Sequence, residues 1–150
     1  SKVYCIDKQS EKLFRNFLDS TKIKYLIMEK LRNLGPWRKK GNQDIKILIN
    51  IGYDDINFYN KVIENLIMKS SNIDIGVSYH PLQTNRIDRS DIWEIKNSNL
   101  MAAPDIYVSY GSSLDEYFKN DKNIRSIIYS KELIKTSDNL SNEISKYISE

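Results

Sequence analysis

The chemistry-bearing residues of this chain collect in three short segments: Gly52-Tyr53-Asp54-Asp55, Tyr79-His80-Pro81 and Tyr110-Gly111-Ser112-Ser113. Each follows an apolar, β-rich run, and in an open parallel sheet ligands bind outside the carboxyl ends of the strands. Ser112 and Ser113 open a predicted helix. There, backbone N–H groups, the positive end of the helix dipole and two hydroxyls suit an anion, and Gly111 lets a ligand approach the backbone. A serine in that place also serves as a plain N-cap. His80 is the only histidine, and Pro81 holds it extended at a strand end with its ring toward the crevice; a lone histidine there also fits a structural or solvent-exposed role. The nearest carboxylates are Asp54, Asp55, Asp115 and Glu116, able to accept from ribose hydroxyls or to activate an acceptor hydroxyl. Asp54 and Asp55 read equally as caps of the helix that starts near Ile56. Gly52, Tyr79 and Glu116 are the candidates for contacts to a ribose or base.

Other chemistries fit poorly. One Cys and one His cannot close a zinc site, neither a P-loop nor a GxGxxG fingerprint is present, and Gly111-Ser112-Ser113 lacks the second glycine of a nucleophile elbow. A metalloenzyme, an ATPase, a dehydrogenase and a serine hydrolase are therefore disfavoured, and no metal or cofactor is expected. A net charge of +3, from 23 basic against 20 acidic residues, is too small to imply a polyanion partner, so no nucleic acid is expected. Trp37-Arg38-Lys39-Lys40 offers a peripheral membrane contact, although a short basic connector is usually just solvated. The apolar runs fall far short of the roughly 20 residues that cross a bilayer. With neither a leader pattern nor a pair of cysteines, a cytoplasmic location is expected, with contact to the inner membrane as a variant.

The elements that must position these residues alternate. Val3–Ile6 reads as a strand, followed by a helix capped by Asp7 with Leu13, Phe14, Phe17 and Leu18 on its apolar face. Lys24–Ile27 reads as a second strand, and Gly35-Pro36 opens a hinge over residues 35–43. Ile45–Ile51 is a strand, and Ile56, Tyr59, Val62, Ile63, Leu66 and Ile67 repeat at helical spacing. Ile73–Tyr79 completes a βαβ unit. A helix is predicted from Asp91 to about Ala103, a strand over Asp105–Ser109, and a short helix over Leu114–Lys119 with Ser113 and Glu116 in capping-box register. A strand over Arg125–Tyr129 and a helix over Asp138–Ile148 close the chain. The pattern predicts an α/β fold: a Rossmann-like, doubly wound parallel sheet with helices on both faces, over residues 41–150, with residues 1–40 as a hinge or the end of a preceding domain.

The order of motifs over residues 41–130 resembles the C-terminal half of GT-B glycosyltransferases. The stretches concerned are Asp44-Ile45-Lys46-Ile47-Leu48-Ile49-Asn50-Ile51-Gly52-Tyr53-Asp54, Ile75-Gly76-Val77-Ser78-Tyr79-His80-Pro81, Ala103-Pro104-Asp105-Ile106-Tyr107-Val108-Ser109-Tyr110-Gly111-Ser112-Ser113 and Ser126-Ile127-Ile128-Tyr129. The chain looks most like bacterial sialyltransferases and polysialyltransferases, with their HP and Ser-Ser motifs, and is also similar to teichoic-acid glycerophosphotransferases. The resemblance implies a nucleotide-sugar site, CMP-linked first and CDP- or UDP-linked next, and a carbohydrate acceptor in capsule or lipooligosaccharide synthesis. It implies that His80 with Pro81 contacts the donor phosphate and nucleotide, making His80 the catalytic candidate, and that Gly111, Ser112 and Ser113 bind the phosphate. Such enzymes draw their general base from an N-terminal half missing here, so this chain alone is expected to be inactive. The chain continues from Ser113 as Leu114-Asp115-Glu116, without the threonine that some sialyltransferases carry.

Two other readings compete. A non-catalytic flavodoxin-like or response-regulator-like module would need a flavin loop or an acidic phosphoacceptor pocket; Asp54 and Asp55 imitate the second, without a matching lysine after a later strand. A nucleic-acid-binding surface would have to rest on the basic segment Lys22–Lys40 and would show steep salt dependence.

Overall fold

A computed structural model describes residues 2–5, 8–17, 24–27, 34–38, 44–52, 55–95, 102–112 and 114–149. The chain divides into two units, residues 1–33 and residues 34–150. In the first, strands β1 (Lys2–Cys5) and β2 (Lys24–Ile27) pair in parallel, from Lys2 against Lys24 to Cys5 against Ile27. Helix α1 (Lys8–Phe17) lies between them in sequence, buries none of its residues and exposes Leu13, Phe14 and Phe17.

The second unit runs β3 (Ile45–Ile51), α2 (Ile56–Lys69), β4 (Ile73–Tyr79), β5 (Ile92–Glu94), β6 (Ile106–Ser109), α3 (Asp115–Lys119), β7 (Arg125–Ile128) and α4 (Ser137–Ile148). Among the described residues its strands form one five-stranded sheet, in the order β5-β4-β3-β6-β7, with every pairing parallel. This is the α/β, Rossmann-like architecture predicted. The chain adds β4 and β5 on one side of β3, then crosses to add β6 and β7 on the other. The winding therefore reverses between β3 and β6, and the crevice at their carboxyl ends is the topological switch point.

Period-two alternation sends the strand residues to two different layers. Ile47, Ile49, Ile51, Ile75, Val77, Ile106, Val108 and Ile127 join Tyr59, Val62, Ile63 and Leu66 of α2 and Leu140 and Ile144 of α4 in one buried cluster. Each such aliphatic side chain contributes about 1.5–3 kcal/mol by leaving water. The opposite face is smaller and mixed: Leu48 and Tyr107 pack with Trp37, Ala102, Phe118 of α3 and Ile124. Helices thus cover both faces. Asp55 caps α2 by accepting the Asn57 N–H at 2.9 Å, and Thr136 caps α4 by accepting the Asn139 N–H at 3.1 Å.

Three local expectations are overturned. The helix predicted over Asp91–Ala103 is not there at its start: Ile92–Glu94 is the edge strand β5, registered on Ile75–Val77. Ile92 packs with the α2/α4 cluster while Trp93 packs with the opposite one, a split that a strand makes and one helical stripe does not. Residues 96–101 of that expectation lie outside the described residues.

Trp37 and Arg38 are not a solvated connector. Trp37 is 9% exposed, its Nε1–H donates to Asp74 Oδ2 at 2.8 Å, and Arg38 donates to the same oxygen from Nε at 3.0 Å and pairs with Oδ1 through its terminal nitrogen. Asp74 is 1% exposed on β4, and a carboxylate so buried needs donors, which these two residues bring to it. Trp37 also meets Trp93 edge-on, with ring centres 5.0 Å apart, above the bare backbone of Gly76. Residues 39–43 of the expected hinge lie outside the described residues. Finally, α3 starts one residue later than predicted, with Leu114 at its N-cap position and no side-chain cap there. Ser113 lies outside the described residues, as do Tyr53 and Asp54.

Candidate functional site

The candidate residues follow neighbouring strands at one edge of the sheet. His80 follows β4 and Gly111-Ser112 follow β6, with β3 between them. Strand spacing of about 4.8 Å places these two strand ends about 10 Å apart. The His80 N–H donates to the Ile51 carbonyl at 2.8 Å, extending the β3/β4 ladder by one bond, and the His80 carbonyl accepts the Gln83 N–H at 2.8 Å across a turn. His80 is exposed, and its Nδ1 accepts the Leu82 N–H at 3.1 Å. With Nδ1 an acceptor, the neutral ring carries its proton on Nε2, so that nitrogen is a donor. Pro81 is exposed in the same turn. Gln83, 6% exposed, points its Nε2 at the Gly52 carbonyl at 3.4 Å and accepts the Asn85 N–H at 3.3 Å, tying the turn after β4 to the one after β3.

Gly111 has φ +104°, in the region that favours glycine, and a Cβ built there would meet nothing within 4 Å. Glycine is thus required by the backbone, and its open side admits a ligand. The Gly111 N–H donates to Ser109 Oγ at 3.2 Å, and the Leu114 N–H donates to Ser112 Oγ at 3.2 Å. The Ser112 N–H donates to Asp115 Oδ2 at 2.8 Å. That donor, expected to meet a phosphate, therefore has a carboxylate of the protein itself as acceptor, while the Ser112 hydroxyl keeps its hydrogen for donation.

Asp115 is 7% exposed and is the hub of a buried network. Its Oδ1 accepts the Tyr107 O–H at 2.8 Å, and the Tyr107 oxygen accepts Asn50 Nδ2–H at 3.2 Å. Tyr107 is fully buried and stacks on Phe118 with ring centres 4.0 Å apart. Burial pushes its phenol well above the ordinary range, against a smaller opposing pull from the Ser109 hydroxyl. Asn50 registers with Ser78 of β4 on one side and Ser109 of β6 on the other, and all three are buried. Ser78, Asn50 and Ser109 form a polar row across three strands, one step inside the carboxyl edge at the switch point.

This row is absent from the candidates drawn from the sequence. Its signal is present there: a small polar residue at the penultimate position of β3, the penultimate position of β4 and the last position of β6. Asp115 belongs to the network and not to a ribose-facing surface, and Asp55 caps α2. Glu116 is exposed beside Lys119, 4.0 Å away. Tyr79 packs on the opposite face of the sheet: its hydroxyl accepts the Ile87 N–H at 3.0 Å and the Arg86 guanidinium lies 4.3 Å from its ring centre. Burial raises its pKa also. Its role in the structure is to hold the 80–91 loop.

Among the described residues, no three His, Cys, Asp or Glu side chains come together to hold a metal ion, and no helix is long and apolar enough to cross a membrane. No protein-family model matches this chain, and neither a curated protein nor a solved structure is significantly similar to it.

Proposed function

We propose that residues 34–150 form the nucleotide-donor-binding half of a glycosyltransferase, with a CMP-linked sugar of the sialic-acid type as donor and a bacterial surface carbohydrate as acceptor. One observation carries the reading: His80 after β4 and Gly111-Ser112 after β6 flank the switch point of a parallel sheet, directly above the buried polar row. The Nε2–H of His80 and the hydroxyl of Ser112 are donors to a phosphate lying across the end of β3. Donors held on strand ends stabilise the charge that grows on a departing nucleotide phosphate without reorganising at the moment of transfer. His80 is the catalytic candidate in this sense, and Gly111 supplies the approach. CDP- and UDP-linked donors use the same phosphate contacts and rank next.

The test is calorimetric titration of the chain with CMP, CDP and UDP at one ionic strength. Binding of one of them, weakened about tenfold or more in His80→Ala and in Ser112→Ala, is expected. Wild-type affinity in both variants would remove these residues from the site. The non-catalytic module gains from one observation, the Asp115 carboxylate already accepting the Ser112 N–H. A folded chain that binds none of the three nucleotides would favour that second reading.

A further inference from the structure

A groove of about 510 Å³ opens beside the switch point, between the start of α2 and the turn after β7. Its walls are Phe58, Ile134 and the buried Tyr59 behind them, and its rim carries Asp55, Glu132, Lys131 and Lys135. Both bordering segments follow strand carboxyl ends, of β3 and of β7, so the groove lies at the ligand-binding edge of the sheet. Tyr110 links it to the phosphate turn. Tyr110, the residue before Gly111, lies 5.6 Å from Tyr129 between ring centres, and Lys131 Nζ lies 4.8 Å from the Tyr110 ring centre. Tyr129 in turn stacks near Phe58 and donates to the Tyr59 hydroxyl at 2.8 Å.

We infer that this groove takes the planar base of the nucleotide, an assignment that rests on the nucleotide-donor reading above. Three features select that chemistry. The Phe58 ring beside Ile134 suits a flat ring, and a simple anion would leave that apolar wall unused. A rim holding carboxylates and ammonium groups alike matches a base edge that offers N–H donors and carbonyl acceptors together, whereas an aliphatic ligand would strip water from these charges with nothing in exchange. The volume lies within the roughly 300–1,000 Å³ usual for small-molecule sites and accommodates a base with its ribose. The assignment also orients the donor. With its phosphate at Gly111-Ser112 and its base on the β7 side, the nucleotide runs away from His80, and the transferred group comes to lie on the β4 side, over β3 and toward His80.

Amide chemical-shift and calorimetric titrations of the full chain with CMP, UMP and ribose 5-phosphate test this. Expected is that CMP or UMP shifts amides of residues 56–59 and 131–135 as well as those of Gly111 and Ser112. Ribose 5-phosphate, which has no base, should shift only Gly111, Ser112 and His80. Ile134→Glu should weaken the nucleotide about tenfold, the size of one base stacked on aromatic side chains, and leave ribose 5-phosphate affinity unchanged. Lys135→Glu, at an exposed position, makes the same comparison without touching the core. A nucleotide that binds but shifts residues 80–83 in place of 56–59 and 131–135, or whose preference over ribose 5-phosphate survives both variants, would overturn the groove assignment and leave the donor reading standing. A chain that binds neither CMP nor UMP would overturn both.

Discussion

The two faces of the five-stranded sheet are built on opposite principles. Toward α2 and α4, the strands present isoleucine and valine almost without exception. Toward α3 and residues 34–38, the same strands present Leu48 and Asn50, Asp74, Gly76 and Ser78, Tyr107 and Ser109, in which the Asn50 Nδ2, the Asp74 carboxylate and the Tyr107 hydroxyl each have a named partner. An apolar face tolerates exchange among side chains of similar volume, because its energy scales with the area buried. A hydrogen-bonded face does not, because removing one partner leaves the other stranded. The first face makes the fold stable, and the second makes it specific and places the candidate site.

The sharpest way to break that contrast is Asp74→Ala, which removes the acceptor of Trp37 and Arg38. It should cost about 3 kcal/mol in urea denaturation, toward the lower end of the range for breaking a buried pair because Arg38 keeps access to water. A loss well under 1 kcal/mol would mean that this face is held by apolar contact alone. Gly76→Ala adds only a methyl, but that carbon would stand 3.0 Å from Trp37 Cη2 and 3.0 Å from Trp93 Nε1. Overpacking of about 2 kcal/mol is expected, read as a lower thermal midpoint. An unchanged midpoint would show that the two indoles shift freely.

Tyr107→Phe removes one oxygen and leaves Asn50 and Asp115 without it. A loss of about 1.5 kcal/mol is expected, with weaker nucleotide binding because the Ser112 turn loses its brace. The variant also carries a pH signature. The fold keeps the Tyr107 phenol neutral by raising its pKa, so its contribution is intact below the unfolded tyrosine value of about 10 and is lost as pH rises past it. Stability measured from pH about 9 to 11 should therefore fall less steeply in Tyr107→Phe than in the wild type; parallel curves would contradict the burial argument. Ile49→Val, on the apolar face, should cost only about 1 kcal/mol and leave nucleotide affinity untouched. A change in affinity there would show that the two faces are coupled.

The apolar face was the more legible in the sequence. The spans of β3 and β4 follow from β-branched residues at every second position, and α2 from six apolar residues at helical spacing, since each is a long, uniform periodic signal. The short edge strand β5 gives three residues of signal, too few to outweigh the loose helical stripe around it. The polar face was legible only at its rim. Turns after strands announce themselves by glycine and small polar residues, so the segments at His80 and Gly111 could be picked out. Asn50, Ser78 and Ser109 sit inside apolar runs, where a single polar residue reads as an interruption; only the register aligning three such interruptions turns them into a row. Asp74 and Trp37, 37 positions apart, have no local signal that joins them.

The strand order has a consequence for biosynthesis. β3 is the first strand of its sheet to leave the ribosome, yet it ends at the centre, and its second neighbour, β6, is encoded more than fifty residues later. Until β6 emerges, a nascent chain that has paired β3 with β4 carries an open isoleucine-rich strand edge, the feature that templates wrong pairing between chains. The late arrival of Ile106–Ser109 both closes that edge and completes the polar row, so the step that ends the chain's exposure to misassembly is the same one that assembles its candidate site.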